Sequence, residues 1–374
     1  MVSAIAAGSR SVQHGTDMSQ PDPAPTPTRP QLAQLRDIAI LLALAVLALY
    51  AGAGFLIPLA LAFLVYVLVT AISDRVHAAT GAPVWLTTLA GITVVLAGLF
   101  VMIAVIGGQA TQFARAIASY ENAFDEAVTR VAALLGEEVT AFVRDNLIRI
   151  DLSALTRTAL GGATSLLNTF LLVSLYVAFL LAERRVLGIK LLLAARDPQL
   201  GRDMSQVMEA ISHNLQSYLG VKTFVSLLTA GISYAVFTVL GLEFAETWAV
   251  LTFALNFIPS IGSIVAVIFP ALASLVQFDT ITPFLVIVFF CGTVQFLIGN
   301  FLDPALLGRS LNMSTFMVIL ALTFWTAVWG LIGAFLSVPL TVCMLIVFRH
   351  VPALRPVAVL MSKDGHPEAQ GPNA

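Results

Sequence analysis

Charged residues are scarce in this sequence: 11% of its 374 residues are Asp, Glu, Lys or Arg, whereas 59% are hydrophobic. An average soluble domain has about 25% charged residues. The composition therefore excludes an ordinary soluble protein and predicts an integral membrane protein whose main partner is the lipid bilayer. The net charge of −2 also argues against nucleic acid as a partner, because proteins that bind nucleic acid carry basic surfaces.

Residues that bind metals or carry out catalysis are also scarce. Cys291 and Cys343 both lie within apolar runs, and the histidines are scattered along the chain. The chain has no Gly-rich phosphate loop ending in Lys-Ser/Thr, no HExxH motif and no serine nucleophile elbow. We therefore expect no metal site, no cofactor, no ATPase engine and no enzymatic activity.

The long hydrophobic runs predict an all-α protein with about eight membrane segments. A proline-rich stretch precedes them, and alternating prolines block both helix and strand. The predicted organisation begins with a disordered cytoplasmic tail (1–36), three spans (37–108) and an amphipathic helical module outside the cytoplasm (109–158). It continues with a fourth span (159–183), cytoplasmic interfacial helices (184–217), a transport core (218–349) and a second cytoplasmic tail (350–374).

The topology of these segments follows from their charges. The segment 184–217 is short and basic, whereas acidic residues outnumber arginines in 109–158. Since cytoplasmic loops carry the excess of Lys and Arg, the module at 109–158 is predicted to lie on the outer face as a small helical cap. Both termini are then cytoplasmic.

Two apolar arms organise the second half of the chain. Each is about thirty residues long, whereas one membrane pass needs roughly 20. Polar, Gly and Pro residues interrupt the arms at Asn256–Gly262 and at Trp329–Gly333. In a bilayer such breaks occur only where the backbone is buried in protein or lines a wet cavity. We predict two broken or re-entrant helical hairpins that enter from opposite faces as an inverted repeat; if each arm crosses fully instead, the topology downstream changes.

The two breaks predict a binding site for a polar solute, because unwound backbone offers free N–H and C=O groups near mid-membrane. For each Gly or Pro taken singly, the alternative is a helix kink or close packing. The predicted substrate-binding residues lie in the arms and on the span between them: Asn256, Pro259, Ser260, Gly262, Gln295, Asn300, Thr323, Trp325, Trp329, Gly330 and Gly333.

A smaller set is predicted to couple or gate transport: Lys222, Asp303, Pro304, Pro270 and Pro339. Asp303 precedes a proline, so a role as a helix or turn cap is the alternative for it. Proton relays in membranes show buried Asp, Glu or His, and such residues are nearly absent from the apolar runs. This absence favours a small neutral polar solute over a strongly proton-coupled mechanism.

Two motifs resemble the signatures of the autoinducer-2 exporter family of bacterial membrane proteins. One is NFIPSIG at 256–262; the other combines GNFLDPALLGRSLNMS at 299–314 with the Trp and Gly residues of 325–333 and SVPLT at 337–341. The resemblance covers about residues 36–350. The Met-Ser pair at 313–314 and the two tryptophans are similar to the autoinducer-2 exporting branch, although many relatives have Pro near position 314.

The resemblance implies an inner-membrane transporter with eight membrane segments that forms a homopentamer and works by an elevator-like movement. Our first hypothesis is secondary transport that exports a small polar molecule, with the quorum-sensing signal autoinducer-2 as the candidate. Some relatives resemble sodium or lithium/proton antiporters, so an antiporter with sodium or proton as the coupling ion is the second hypothesis. A non-transporting membrane scaffold is the third.

Overall fold

The structure is a computed structural model that describes residues 29–119, 152–194, 198–307, 312–363 and 365. Within these ranges every regular element is helical, apart from one isolated backbone bridge between Met313 and Ser362. This confirms the predicted all-α class. The predicted outer module lies largely outside the described residues, as does most of the predicted N-terminal tail, whereas the described part of the predicted C-terminal tail is 350–363 and 365.

The described helices follow one another closely along the chain. In order they are α1 (Arg29–Ala51), α2 (Ala53–Thr80), α3 (Val84–Ser119), α4 (Leu152–Ala194), α5 (Pro198–Leu240), α6 (Ala245–Leu255), α7 (Ile261–Gln277), α8 (Thr282–Leu307), α9 (Thr315–His350) and α10 (Arg355–Met361). Six of them, α2, α3, α4, α5, α8 and α9, contain an apolar stretch long enough to cross a membrane. This confirms an integral membrane protein.

The chain divides into a first unit that ends at Ala48 and a second that begins at Leu49. α1 provides nearly all the described residues of the first unit. All contacts discussed below lie within the second unit.

Several predicted boundaries lie inside continuous helices. α3 extends past residue 108, and α4 runs through the predicted boundaries at 158 and 183. α5 is continuous from Pro198 to Leu240, so the predicted interfacial segment up to residue 217 and the span after it form one helix. The proline of α5 stands at its first position, where a missing N–H costs no helical hydrogen bond. Within the predicted spans 37–108, the chain breaks at Gly52, and Pro58 lies inside α2.

The first arm is a helical hairpin formed by α6, a turn at 256–260 and α7. The Gln277 side chain at the end of α7 accepts a hydrogen bond from the Glu243 N–H (2.7 Å) and donates one to the Gly241 carbonyl (2.8 Å). The end of α7 therefore lies beside the residues that precede α6. With its 11 residues, α6 is about 16 Å long at about 1.5 Å per residue. A hydrocarbon core is about 30 Å thick, so α6 is too short to cross it.

The second arm reverses direction inside α9. Trp329 (φ −126°, ψ 15°) and Gly330 (φ 62°, ψ −143°) depart from helical geometry. The Trp325 indole Nε1 donates to the hydroxyl of Thr341 at 3.2 Å. In a straight helix these residues would be about 24 Å apart, so the chain must fold back between them. The second arm is therefore also a hairpin, with halves at 315–328 and 331–350.

Both hairpins close on a glycine. A Cβ atom added to Gly262 would lie 1.8 Å from the carbonyl oxygen of Leu255, and one added to Gly333 would lie 1.9 Å from that of Trp325. Since no side chain fits at these distances, the close packing that we considered for single glycines explains both positions. Each hairpin thus needs glycine just after its turn.

The turns of the two hairpins meet in the interior of the second unit. The Phe257 ring in the first turn lies 4.9 Å, centroid to centroid, from the Phe335 ring in the second hairpin. Next to it, the buried Ile258 packs with Leu322 and Ala334. This contact brings the two sequence breaks, which are distant along the chain, to one place.

Candidate functional site

A row of polar side chains runs along one face of α5. Lys222, Ser226, Thr229 and Ser233 are spaced by three or four residues, which places them on one side of a helix. All four are buried, with exposures of 9%, 0%, 0% and 2%. Polar side chains are costly to bury without partners, so this row indicates a specialised surface; we call it the polar face of α5.

An ion pair lies at one end of the polar face of α5. The Lys222 ammonium donates to the Asp303 carboxylate oxygen Oδ2 at 2.6 Å, and the two side chains are 11% and 16% exposed. Asp303 begins the last helical turn of α8. The charge of each group is thereby neutralised, which a low-dielectric environment requires.

The first hairpin reaches the same face through its turn. The Asn256 amide Nδ2 donates to the Ser226 hydroxyl at 3.1 Å, and Asn256 is 5% exposed. Farther along α5, the Ser233 side chain lies close to the thiol of Cys291 in α8. The turn of the first hairpin and α8 therefore both converge on α5.

Gln295 lies between these contacts on α8. Cys291 faces Ser233 and Asp303 faces Lys222, so α8 runs antiparallel to α5. Gln295 is one turn beyond Cys291 and is buried, as Cys291 is. The antiparallel register therefore places Gln295 near the level of Thr229 along α5, in a turn of α8 that packs against α7 of the first hairpin.

Three buried polar atoms of α8 have no hydrogen-bond partner among the described residues: Gln295 Oε1, Gln295 Nε2 and Asp303 Oδ1. Leaving a buried polar group unsatisfied costs about 1–3 kcal/mol. Such groups in folded proteins call for a specific explanation, often a bound molecule. Gln295 offers an amide donor and an acceptor to a ligand, and Asp303, about two helical turns farther along α8, offers a further acceptor.

The helix that carries these groups is irregular on both sides of Gln295. π-helical turns occupy Ile287–Cys291 and Ile298–Leu302. π-turns are rare and are frequently found at functional sites. Each inserts an extra residue into the helical repeat and so changes which side chains face α5.

Several residues of this site were not predicted from the sequence. Ser226, Thr229 and Ser233 were not among the predicted residues, although their helical spacing with Lys222 is a signal that could have identified them. The π-turns have no comparable signal, because they differ from an α-helix only in their hydrogen-bond register.

The structure gathers three of the predicted residues at the polar face of α5, namely Lys222, Asn256 and Asp303, and buries a fourth, Gln295, in the adjoining part of α8. The polar residues predicted elsewhere have local partners instead. Exposed Asn300 donates to the Phe296 carbonyl and exposed Thr323 to that of Ile319.

The remaining predicted residues lie in the two hairpins, except for Pro304, which lies in the last turn of α8. The Trp329 indole donates to the Leu49 carbonyl at 2.9 Å, and Trp325 is bonded as described above. Pro270 and Pro339 are buried inside α7 and α9, and Pro259 is half-buried in the first turn. Ser260, Pro304 and Gly330 are exposed.

Within the described ranges, no group of three or more His, Cys, Asp or Glu side chains is arranged to hold a metal ion. The polar face of α5 offers hydrogen-bonding groups beside one ion pair. This arrangement suits the binding of a solute.

Comparison with known proteins identifies the family. The model of the AI-2E family of transporters matches residues 38–353. The AI-2 transport protein TqsA of Escherichia coli K12 is 29% identical over 277 residues, covering 72% of this chain and 78% of TqsA. A provisionally named transport protein of Haemophilus influenzae is 26% identical over 315 residues, covering 82% of this chain and 88% of the relative.

A shorter match is more similar. A provisionally named transport protein of Borreliella burgdorferi is 38% identical over 203 residues, and this alignment covers 54% of the chain and 55% of the relative. The chain thus spans just over half the length of that relative. Because the family model covers most of the sequence, the chain belongs to the AI-2E family of transporters.

Proposed function

We propose that this AI-2E family member is a secondary transporter that exports a small polar molecule, and that the molecule binds at the polar face of α5. The observation that carries the proposal is the buried, unpartnered amide of Gln295, which lies about two helical turns along α8 from the Lys222–Asp303 pair and its unpartnered Asp303 Oδ1 atom. Autoinducer-2 is the candidate substrate, supported by the name of TqsA and by the motifs at 256–262 and 299–341.

The chemistry of the unpartnered atoms narrows the class of ligand. Gln295 Nε2 needs an acceptor, whereas Gln295 Oε1 and Asp303 Oδ1 accept. At Gln295, a bare cation satisfies the Oε1 oxygen but leaves the amide N–H groups unpaired, and a simple anion does the reverse. A hydroxyl group both donates and accepts, so a small hydroxylated solute fits this set best.

The first hairpin supplies a means of moving the solute. Its turn contacts α5 through the Asn256–Ser226 hydrogen bond, so a shift of the hairpin breaks that contact and changes access to Gln295. An elevator-like movement, a homopentamer, a bacterial inner-membrane location and cytoplasmic termini complete the proposal, on the basis of the family resemblance and the charge pattern.

The second candidate is a sodium or lithium/proton antiporter, and one observation favours it. Asp303 Oδ1 is a buried carboxylate oxygen without a partner among the described residues, and carboxylates are suitable ligands for hard cations. The buried polar groups argue against the scaffold hypothesis, since a scaffold has no need of them.

Flux through proteoliposomes that hold the purified protein tests the proposal. With labelled autoinducer-2 inside, we expect efflux above that of empty liposomes and a loss of about tenfold in Gln295→Leu, because one solute hydrogen-bonding group is removed. Thr293→Val, an exposed polar position on the same helix, is the matched control and should transport normally.

The same liposomes separate the candidates. Imposed sodium and proton gradients identify the coupling ion if they change the efflux. A proton signal on adding sodium or lithium, without autoinducer-2 efflux, would replace the exporter with the antiporter. Equal losses in Gln295→Leu and Thr293→Val would remove Gln295 from the site.

A further inference from the structure

A concave surface lined by residues other than those of the polar face of α5 lies between the beginning of α3 and the end of the membrane-spanning stretch of α4. It is an open groove of about 510 Å³. Trp85, Leu89 and Ile92 of α3 form one wall, and Leu181 and Arg184 of α4 form the other. Pockets that bind small molecules commonly have volumes of about 300–1,000 Å³.

The groove changes in character along its length. Trp85 is 66% exposed and stands next to the first residue of α3. Leu89 and Ile92 follow at helical spacing, toward the middle of the bilayer span. On α4 the order is reversed, since apolar Leu181 precedes Arg184. The groove is therefore cationic and aromatic at its mouth and apolar in its depth.

This gradient matches the bilayer. Trp side chains are enriched where the hydrocarbon meets the headgroups, which places the mouth of the groove at headgroup level. An Arg guanidinium offers a planar set of donors suited to phosphate oxygens. Basic pockets between membrane helices bind anionic lipid headgroups.

Arg184 is held in place but remains available at the mouth of the groove. Its Nη2 atom lies 3.5 Å from Asp74 Oδ1, and the two side chains are 37% and 50% exposed. Charge-assisted hydrogen bonds of this type are normally about 2.7–2.9 Å long. Asp74 therefore orients the guanidinium through a long contact and competes with a phosphate for it.

We propose that this groove binds one anionic phospholipid from the surrounding leaflet. The phosphate contacts Arg184 and displaces the long Asp74 contact. One acyl chain lies along Leu89, Ile92 and Leu181. This proposal depends on the membrane class of the protein and is independent of the transported solute.

Native mass spectrometry of the full-length protein, released from mixed micelles of phosphatidylglycerol and phosphatidylcholine, tests the proposal. We expect the wild-type protein to retain phosphatidylglycerol with a preference of about fivefold, the effect of one basic side chain near a charged headgroup. Arg184→Gln should reduce this preference to parity. Asp74→Asn should raise it, because the competing carboxylate is removed.

Lys190→Gln is the matched control. Lys190 lies on the same helix, is exposed and is paired with Glu183, and it does not line the groove. The substitution makes the same charge change and should leave the preference intact. An equal loss in Lys190→Gln and Arg184→Gln would overturn the site in favour of general surface charge.

Two further outcomes would also overturn the proposal. One is a wild-type protein that retains no phosphatidylglycerol in excess of phosphatidylcholine. The other is an Arg184→Gln variant that keeps the preference while its oligomeric mass falls, which would assign the groove to contacts between copies of the chain.

Discussion

The two hairpins close in the same way but differ in what surrounds their turns. Gly262 and Gly333 meet carbonyl oxygens at nearly identical hypothetical distances of 1.8 and 1.9 Å. In the first hairpin, the Asn256 amide reaches across to α5. In the second, the Trp325 indole N–H is bound by Thr341 of the returning half. The first turn thus makes its polar contact with a side chain on the polar face of α5, whereas the second hairpin is bonded within itself and, through Trp329, to the backbone carbonyl of Leu49.

This difference suggests a division of roles. A side chain that bonds to a different helix changes its environment when its hairpin moves, whereas one that bonds within its own hairpin moves with it. We therefore expect the first hairpin to govern solute binding and the second to govern stability. The three predictions below test this division, from the largest expected effect to the smallest.

The largest effect is expected where the hairpins are alike. Gly262→Ala and Gly333→Ala each place a Cβ atom against a backbone carbonyl, so neither hairpin can close and little folded protein should accumulate. Fluorescence-detected size-exclusion chromatography of membrane extracts measures this. Gly231→Ala is the control, because a Cβ atom there meets nothing within 4 Å. A folded Gly333→Ala variant beside an unfolded Gly262→Ala variant would show that the closures differ.

A smaller effect is expected at the ion pair beside the first hairpin. Lys222→Met leaves the buried Asp303 carboxylate without its counter-charge, which should destabilise the protein by about 3–5 kcal/mol. The double variant Lys222→Met/Asp303→Asn should recover much of this loss, because no uncompensated charge remains. Thermal unfolding of the purified variants measures both changes. A double variant no more stable than Lys222→Met would contradict a charge-based role for the pair.

The smallest effects distinguish the hairpins most sharply. Ser226→Ala and Thr341→Val each remove a buried hydroxyl that accepts from a hairpin residue. We expect both substitutions to reduce stability, because each leaves a buried donor without its acceptor, but only Ser226→Ala should also reduce solute flux per folded molecule several-fold. Thr341→Val should cost about 1–3 kcal/mol of stability while flux per folded molecule stays normal. Paired flux and thermal-unfolding measurements test this, and the reverse pattern would exchange the roles of the hairpins.

Much of the fold could be predicted from local sequence. The hydrophobic runs indicate membrane helices, and the Gly and Pro interruptions mark both hairpin turns, because these residues act on the backbone wherever they occur. The sequence identifies the polar residues of the membrane segments, but it does not distinguish those with local backbone partners from those that are buried without a partner. Asn300 and Gln295 look equivalent in the sequence, yet Asn300 bonds to its own helix backbone while Gln295 is buried and unpartnered.

The sequence by itself determined a membrane protein built from helices, with two interrupted arms and with Asp303 placed directly before Pro304 at the end of the span between them. These properties depend on composition and on local backbone restrictions. Only the tertiary structure decided that Asp303 pairs with Lys222, that Asn256 meets Ser226 and that both lie on one face of α5. Contacts of this kind depend on the register between helices far apart in the chain. The two π-turns of α8 alter that register without a local sequence signal.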